Sequence, residues 1–190
     1  MNQGHLFVMS AASGAGKTTL KDLVLPEFPQ MCYSISCTTR APRTGEVDGV
    51  HYFFKTREQF QQMITHNELV EWNEVHGNFY GTPKRFIEET LAAGKSLFFD
   101  LDVFGKVNFD QAYPQSIGIL VLPPSLDALE KRLRSRGTDA DEVIRLRLDN
   151  ARKEIEFAQQ NGKYEHTIVN DDLQKAAAQL RAIFRCYLKK

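Results

Sequence analysis

The stretch that decides the fold is Ala11-Ala12-Ser13-Gly14-Ala15-Gly16-Lys17-Thr18, which follows an apolar run at residues 6–9. That run predicts a buried strand, and residues 17 to about 25, before Pro26, predict a helix. Between them, the glycines allow successive backbone N–H groups to turn inward, and the helix N-terminus adds partial positive charge. This order of elements predicts a phosphate-binding loop.

The side chains of the loop strengthen that prediction. Lys17 can reach the β- and γ-phosphates of a nucleotide, and the Thr18 hydroxyl can ligate Mg²⁺. The pattern GxxxxGK[ST] begins with glycine, whereas this chain has Ala11. The competing interpretation is a turn that only joins strand to helix and leaves Lys17 in solvent. The otherwise complete match, placed between a strand and a helix, favours nucleotide binding.

Three later apolar runs predict further strands of the same sheet. They lie at residues 97–99, 117–121 and 167–169, and such continuous runs are typical of parallel strands covered on both faces. Helical segments separate them, so we expect an α/β fold. Asp100 directly follows one run, where an acid can hold a magnesium shell. A helix cap or a turn residue is the alternative for Asp100.

Capping residues predict where several helices begin and end. Thr82 is expected to cap a helix with Pro83 at its first position, and Gly94 is expected to close that helix. Ser125 is expected to begin another helix, and Asp171 to cap the last one.

The segment from about residue 33 to residue 80 differs from the rest of the chain. Residues 34–38, 52–54 and 70–72 predict short strands joined by turns. A capping box at residues 56–59 predicts one short helix among them. We therefore expect a small insert with a mixed sheet.

Composition limits the classes of partner and compartment. The 190 residues carry 24 Lys+Arg and 24 Asp+Glu, and a net charge of zero argues against nucleic-acid polymers and anionic membranes as partners. Cys32, Cys37 and Cys186 form no CxxC pair, so a disulfide framework or zinc site is not expected. No signal-peptide core and no apolar stretch of about 20 residues is present. The expected location is the cytoplasm.

Two arginines in a turn-rich stretch, Arg40 and Arg43, are candidates for an anion site. Paired guanidinium groups suit a phosphate monoester, which offers several anionic oxygens. From charge alone, the preferred interpretation is two exposed arginines neutralised by Glu46 and Asp48.

Seven blocks of the chain, in this order, resemble the guanylate kinase family. They are Ser13-Gly14-Ala15-Gly16-Lys17, Thr38-Thr39-Arg40-Ala41-Pro42-Arg43-Thr44-Gly45-Glu46-Val47-Asp48-Gly49, Glu71-Trp72, Gly77-Asn78-Phe79-Tyr80-Gly81-Thr82, Asp100-Leu101-Asp102, Arg136-Gly137-Thr138 and Ile168-Val169-Asn170-Asp171-Asp172. The resemblance extends from about residue 6 to about residue 185. It implies a P-loop kinase three-layer sandwich with a parallel five-stranded core sheet, divided into a core at about residues 1–33, 84–133 and 159–190, a GMP-binding insert at about 34–83 and a mobile helical lid at about 134–158.

The resemblance also implies an activity, namely transfer of the γ-phosphoryl group of ATP to GMP, and to dGMP, in purine nucleotide metabolism. ATP and GMP would be the small-molecule partners and Mg²⁺ the cofactor; whether copies of the chain form a homo-oligomer is left open. The implied catalytic residues are Lys17, Arg43, Arg136 and Arg147. The implied ATP-binding residues are Ser13, Gly14, Ala15, Gly16, Lys17, Thr18, Thr19, Asn170 and Asp171. The implied GMP-binding residues are Ser36, Arg40, Arg43, Tyr52, Glu71, Tyr80, Thr82, Asp100 and Asp102, and the implied metal-binding residues are Thr18 and Asp100.

The chemistry of guanine supports the implied base contacts. Guanine presents N1–H and N2–H₂ donors side by side, which the carboxylates of Glu71 and Asp102 can accept, whereas adenine has an acceptor at N1. A hydroxyl from Ser36 or Thr82 can donate to O6. A buried carboxylate left unpaired by the wrong base would be costly. Without the surrounding blocks, Glu71 would be interpreted as an exposed strand residue beside Trp72.

Alternatives remain for the lid and for the function. The lid arginines could belong to a solvated, Arg/Glu-rich helix, to which Arg132, Arg134, Arg145 and Arg152 are assigned. A protein-binding module of the same fold and a kinase for another small phosphorylated acceptor are the competing functions. Three residues depart from the family pattern, and these are Ala12, Cys37 and Phe104. Phe104 is expected to place a large apolar group beside the acceptor pocket.

Overall fold

A computed structural model describes residues 4–75, 77–135 and 140–188. Its strands, in chain order, are β1 (Leu6–Ala11), β2 (Met31–Tyr33), β3 (Cys37–Thr38), β4 (Phe53–Phe54), β5 (Leu69–Val75), β6 (Asn78–Pro83), β7 (Ser96–Asp100), β8 (Ile117–Leu122) and β9 (His166–Val169). Its helices are α1 (Lys17–Val24), α2 (Arg57–Thr65), α3 (Lys84–Ala92), α4 (Val103–Ala112), α5 (Leu126–Ser135), α6 (Asp141–Asn161) and α7 (Leu173–Leu188).

The main sheet has the spatial order β2-β7-β1-β8-β9 in the described part of the chain, and every pair of neighbours is parallel. The central strand β1 is buried along its whole length, as expected for a strand with layers on both faces. The four apolar runs lie in four of these strands. The apolar pattern did not reveal β2, because it has three residues and only Met31 is buried.

Aromatic and aliphatic side chains fill the space on both faces of this sheet. On one face, Phe7 and Phe98 pack around Phe184 of α7, with ring centroids 5.1 and 5.8 Å from that of Phe184. On the other face, Phe99 packs against Phe109 of α4 at 4.6 Å. This packing holds the carboxyl ends of β1 and β7 side by side, and in open parallel sheets ligands bind at that edge.

The insert contains a second, mixed sheet with the order β4-β3-β6-β5. Strands β3 and β4 are parallel, whereas β6 is antiparallel to both β3 and β5. Helix α2 covers this sheet through Phe60, which is fully buried and stacks on Phe79 at 5.5 Å. The mixed sheet is confirmed, although β3 is shorter than expected and β6 was not among the predicted strands.

Three of the predicted helix boundaries are confirmed. The Thr56 hydroxyl accepts a hydrogen bond from the backbone N–H of Gln59, and the Gln59 side chain returns one, so the capping box is present. Ser125 Oγ accepts from the backbone N–H of Ala128 at 3.1 Å. Gly94 follows α3 with a φ of 70°, a conformation that glycine adopts most readily.

The predictions for Thr82, Pro83 and Asp171 were wrong. Pro83 is the last residue of β6, and the Thr82 side chain is turned into the protein instead of capping α3. Asp172, one residue later than expected, caps α7 by accepting a hydrogen bond from the backbone N–H of Lys175 at 2.9 Å. Hydroxyl and carboxylate side chains can both cap a helix, so the sequence alone does not tell which of two neighbouring candidates does so. Tertiary contacts decide which residue becomes the cap.

We expect Asp172→Ala to lower the free energy of unfolding by about 1 kcal/mol, because α7 would lose its side-chain cap. Asp171→Ala is the matched control and should change it by less than about 0.5 kcal/mol. Urea unfolding of both variants measures the difference. Equal losses would contradict the observed cap.

Candidate active site

The phosphate loop joins β1 to α1 at the carboxyl edge of the main sheet. Gly14 and Gly16 have φ angles of 86° and 91°, which side-chain-bearing residues rarely adopt. A Cβ on Gly16 would also collide with the side-chain amide of Asn170. That amide is buried and donates to the carbonyl of Ala15 at 2.8 Å. The loop is therefore fixed from the end of β9, and residues 11–19 line a cavity of about 320 Å³.

Lys17 lies between this loop and the next cleft. Its ammonium group forms an ion pair with Asp100 at the end of β7. It also donates to the backbone carbonyl of Leu101 at 2.8 Å. Thr18 lines the loop cavity and is exposed. The structure thus brings the predicted lysine, hydroxyl and acid of the donor site to one edge.

A second cleft, of about 200 Å³, lies between the insert and the main sheet. Its lining residues are Ser36, Tyr52, Glu71, Asn73, Tyr80, Gly81, Asp100, Leu101, Asp102 and Gly105. Six of the predicted acceptor residues are among them. Sequence reasoning missed Asn73, Gly81, Leu101 and Gly105, because small, amide and aliphatic side chains carry no signal outside their fold.

Thr82 and the two arginines lie outside that lining. The Thr82 hydroxyl is fully buried and donates to Glu71 Oε1 at 2.6 Å. Arg40 forms an ion pair with Glu46 at 2.8 Å, and Arg43 is exposed. Arg40 contributes most to holding the pKa of Glu46 down at about 2. The structure therefore shows Arg40 paired with Glu46, as the interpretation from charge alone predicted.

Glu71 is the most perturbed acid of the cleft. Only 9% of the residue is exposed, and this burial raises the pKa of its carboxyl group to about 7. The hydrogen bond from Thr82 opposes that rise, and the negative charge of Asp102 adds to it. Near neutral pH, Glu71 is therefore poised between its two protonation states, as is common at functional sites.

Asp102 begins α4, and Gly105 follows in its first turn. Asp102 Oδ1 accepts from the backbone N–H of Gly105 at 2.6 Å. A Cβ on Gly105 would lie 3.3 Å from Asp102 Oδ1 and 3.3 Å from Glu71 Oε2. Because Gly105 has no side chain, the space that both carboxylates face stays open.

Helix α6, most of which falls in the predicted lid segment, reaches the phosphate loop. Glu154 Oε2 accepts a hydrogen bond from the backbone N–H of Ser13 at 2.8 Å. Arg147, a predicted catalytic residue, is half-buried on the same helix. Arg136, the other predicted lid arginine, lies outside the described residues. Sequence reasoning missed Glu154, because it resembled the other acids of an Arg/Glu-rich helix.

A family model described as guanylate kinase matches residues 3–187. The chain belongs to the guanylate kinase family. The guanylate kinase of Desulfitobacterium hafniense is 42% identical over the whole chain and 94% of its own length, and that of Anaeromyxobacter dehalogenans is 49% identical over 96% of the chain and 80% of its own length. A crystal structure of guanylate kinase from Anaplasma phagocytophilum, 30% identical, has a TM-score of 0.74 and is matched over all of this chain and 89% of its own.

Membership of the guanylate kinase family confirms the resemblance stated from the seven blocks. The P-loop kinase fold and the class of enzyme, a nucleoside monophosphate kinase, are confirmed with it. The roles of individual site residues remain predictions. The parallel sheet, the mixed sheet of the insert and the glycine-bearing loop are the parts of the family's architecture on which those roles depend.

The structure explains two departures from the guanylate kinase pattern, Ala12 and Phe104, and it corrects the assignment of Arg132. Ala12 is buried in an apolar cluster with Ala151 of α6. Phe104 is 43% exposed and packs on Phe157 of α6, with ring centroids 4.4 Å apart, so it borders the acceptor cleft without lining it. Arg132 was wrongly assigned to a solvated face, because it donates to the Asn170 carbonyl at 2.7 Å.

We expect Glu71→Gln to stabilise the protein at pH 8 more than at pH 5. The folded pKa of Glu71, about 7, lies above the usual value, so the folded state gains stability from a bound proton at low pH and loses it as pH rises through 7. The variant lacks this titration, and its advantage should grow by about 2–3 kcal/mol between the two pH values.

Urea unfolding of both proteins at pH 5 and pH 8 measures that difference. Glu74→Gln is the matched control, because Glu74 is exposed on the same strand. A pH-independent difference for Glu71→Gln would show that Glu71 does not titrate in this range.

Proposed function

We propose that the chain transfers the γ-phosphoryl group of ATP, bound at the phosphate loop, to GMP bound in the cleft lined by Glu71. The observation that carries this proposal is the pair of carboxylates, Glu71 and Asp102, which face the same open space at Gly105. The cleft also reaches Asp100, whose partner is Lys17 of the phosphate loop. Donor and acceptor sites therefore adjoin each other.

Two carboxylates in that position suit the edge of guanine. Glu71 and Asp102 would accept from N1–H and N2–H₂, and the hydroxyl of Ser36, which lines the cleft, would donate to O6. Thr82 would act through Glu71, because the Thr82 hydroxyl already donates its hydrogen bond to that carboxylate. Adenine would face a carboxylate with its N1 acceptor and leave buried polar groups unpaired, which is costly.

The acceptor phosphate would lie at the hydroxyl-bearing end of the cleft. Tyr52 and Tyr80 line it with ring centroids 6.1 Å apart, and the guanidinium carbon of Arg40 lies 5.4 Å from the centroid of the Tyr52 ring. A phosphate monoester would compete with Glu46 for Arg40, since it carries more charge than a carboxylate. Arg43, which is exposed nearby, would supply the second guanidinium group.

On the donor side, the backbone N–H groups of the loop would hold the β-phosphate while Lys17 follows the transferred group. Phosphoryl transfer spreads negative charge over that group, so positive charge supplied by Arg147 and Arg136 would lower the barrier. Asn170 and Asp171 would lie near the adenine of ATP. Asn170 has a further role here, because its amide already fixes the loop at Ala15.

Thr18 and Asp100 suit a magnesium ion. A hydroxyl and a carboxylate are hard oxygen ligands, and Mg²⁺ is commonly held by one or two such groups together with substrate phosphates. Asp100 forms an ion pair with Lys17 of the phosphate loop, so its carboxylate lies at the edge where the β- and γ-phosphates would bind. When bound, the ion would neutralise charge on the β- and γ-phosphates.

The cytoplasm is the proposed location. Cys32, Cys37 and Cys186 are free thiols, and burial raises the pKa of the Cys37 thiol to about 11, so Cys37 is held in its neutral form. Free thiols are typical of a reducing compartment. No helix in residues 4–75, 77–135 or 140–188 has both the length and the apolar character needed to span a bilayer.

An ADP-release assay with Mg-ATP and GMP, dGMP, AMP, UMP or CMP tests the proposed function. We expect turnover with GMP and dGMP, and values of kcat/KM at least about 10³-fold lower with AMP, because a site built to pair with hydrogen-bond donors strongly rejects a base that lacks them. Lys17→Ala should lower transfer to GMP by about 100-fold or more, whereas Lys131→Ala, an exposed lysine of α5, should not.

Failure of all five acceptors would support a protein-binding module instead. Preference for another acceptor over GMP would indicate the kinase of different specificity. Unchanged turnover in Lys17→Ala would remove the phosphate-loop assignment.

Gly105→Ala should raise the KM for GMP by about tenfold and leave the KM for ATP within about twofold. The new methyl group would enter the space between Glu71 and Asp102, whereas alanine within a helix usually stabilises it. Steady-state kinetics and thermal unfolding measure both effects. Gln111→Ala, at an exposed position of α4, is the control, and equal changes in both KM values would contradict the role of Gly105.

A further inference from the structure

The hydrogen bond between Glu154 and Ser13 joins the lid helix to the phosphate loop. Glu154 lies in the second half of α6, and its Oε2 atom accepts from the Ser13 backbone N–H at 2.8 Å. Glu154 also lines the loop cavity together with residues 11–19 and Asp102. It is thus an acid at the edge of a site built for phosphates.

A carboxylate in that position carries an energetic cost. Burial raises the pKa of Glu154 and the charge of Asp102 raises it further, while the Ser13 N–H and Lys17 act in the opposite direction. A fixed negative charge would also repel a triphosphate bound nearby. The hydrogen bond from the Ser13 N–H offsets part of this cost. We therefore expect that any role of Glu154 depends on this hydrogen bond.

Two apolar contacts hold the same part of α6 in place. Ile155 and Ala151 pack in the cluster that contains Ala12 of the phosphate loop. Phe157 packs on Phe104 of α4, with ring centroids 4.4 Å apart. Apolar contacts tolerate small rotations of a helix, whereas a hydrogen bond has a preferred direction. The bond from Ser13 to Glu154 therefore adds a directional restraint to the rotation of α6 about its own axis.

The spacing along α6 connects this bond to the lid arginine. Arg147 precedes Glu154 by seven residues, which is close to two helical turns, or about 10 Å along the axis. Residues at that spacing share one face of a helix. The bond that turns Glu154 toward the phosphate loop therefore turns the face that carries Arg147 in the same direction.

We propose that Glu154 is a positioning residue, which accepts the Ser13 N–H and so orients α6 with Arg147 directed at the donor phosphates. It acts through Arg147 and through the loop, and it does not itself contact the transferred group. The inference rests on the proposed function, because it assigns Arg147 to the donor phosphates.

Steady-state kinetics of Glu154→Ala, with Glu154→Gln and Glu156→Ala beside it, test the inference. Glu154→Ala should lower kcat by about 10- to 100-fold, since small losses of alignment are costly in positioning catalysis, and should leave the KM for GMP within twofold. Glu154→Gln should recover most of the rate, because its amide oxygen can still accept from Ser13. Glu156→Ala, exposed on the same helix, should behave as the wild type, and thermal unfolding of all three should show a folded protein.

A double-mutant cycle with Arg147→Ala separates positioning from a merely structural role. If Glu154 acts through Arg147, most of the loss in kcat caused by Glu154→Ala should disappear when Arg147 is already alanine. Additive losses, or an unchanged kcat in Glu154→Ala, would overturn the inference.

The same assays distinguish the two proposals. A wild type that phosphorylates GMP, with no effect of Glu154→Ala, would remove only the role of Glu154. A wild type with no activity toward GMP would overturn the proposed function and, with it, the inference that depends on it.

Discussion

The left-handed conformation of Gly16 and the side chain of Asn170 behind it form the constraint on which the site depends. The amide of Asn170 lies where a Cβ on Gly16 would have to be, and it holds the Ala15 carbonyl from the far side. Arg132 in turn holds the backbone carbonyl of Asn170. The shape of a short loop near the N-terminus is therefore determined by residues more than a hundred positions later, and α1 can begin at Lys17 with its free N–H groups directed at one point.

A chain of zero net charge conceals a cleft in which charge is unevenly distributed. The acids Glu71, Asp100 and Asp102 line one cavity, and each has a donor, respectively Thr82, Lys17 and the Gly105 N–H. Such partners lower the cost of holding negative charges in one cavity. If these acids bind the nucleotide as proposed, binding would exchange their hydrogen-bond partners for new ones, and selectivity would depend on the arrangement of donors and acceptors more than on charge alone.

Much of the fold could be predicted from the sequence, because buried parallel strands are continuous apolar runs and the phosphate loop is a local motif. The parts that could not be predicted depend on tertiary contacts. Thr82 suited a helix cap but is required as the donor to Glu71. Glu154 and Glu156 both lie in the Arg/Glu-rich helix, and only the tertiary approach of Ser13 marks Glu154 as different. Gly105 carries no chemical group, so its importance appears only when the two carboxylates are in place.

Helix α4 serves the acceptor site and the lid segment at once. In its first turn, the Gly105 N–H donates a hydrogen bond to the Asp102 carboxylate. Phe104, in the same turn, packs on Phe157 of α6. If the proposed donor and acceptor sites are correct, a displacement of α6 would be passed through this contact to the helix that holds Asp102. Thermodynamic linkage then acts in both directions, and through this contact each nucleotide would change the affinity of the enzyme for the other by the same factor.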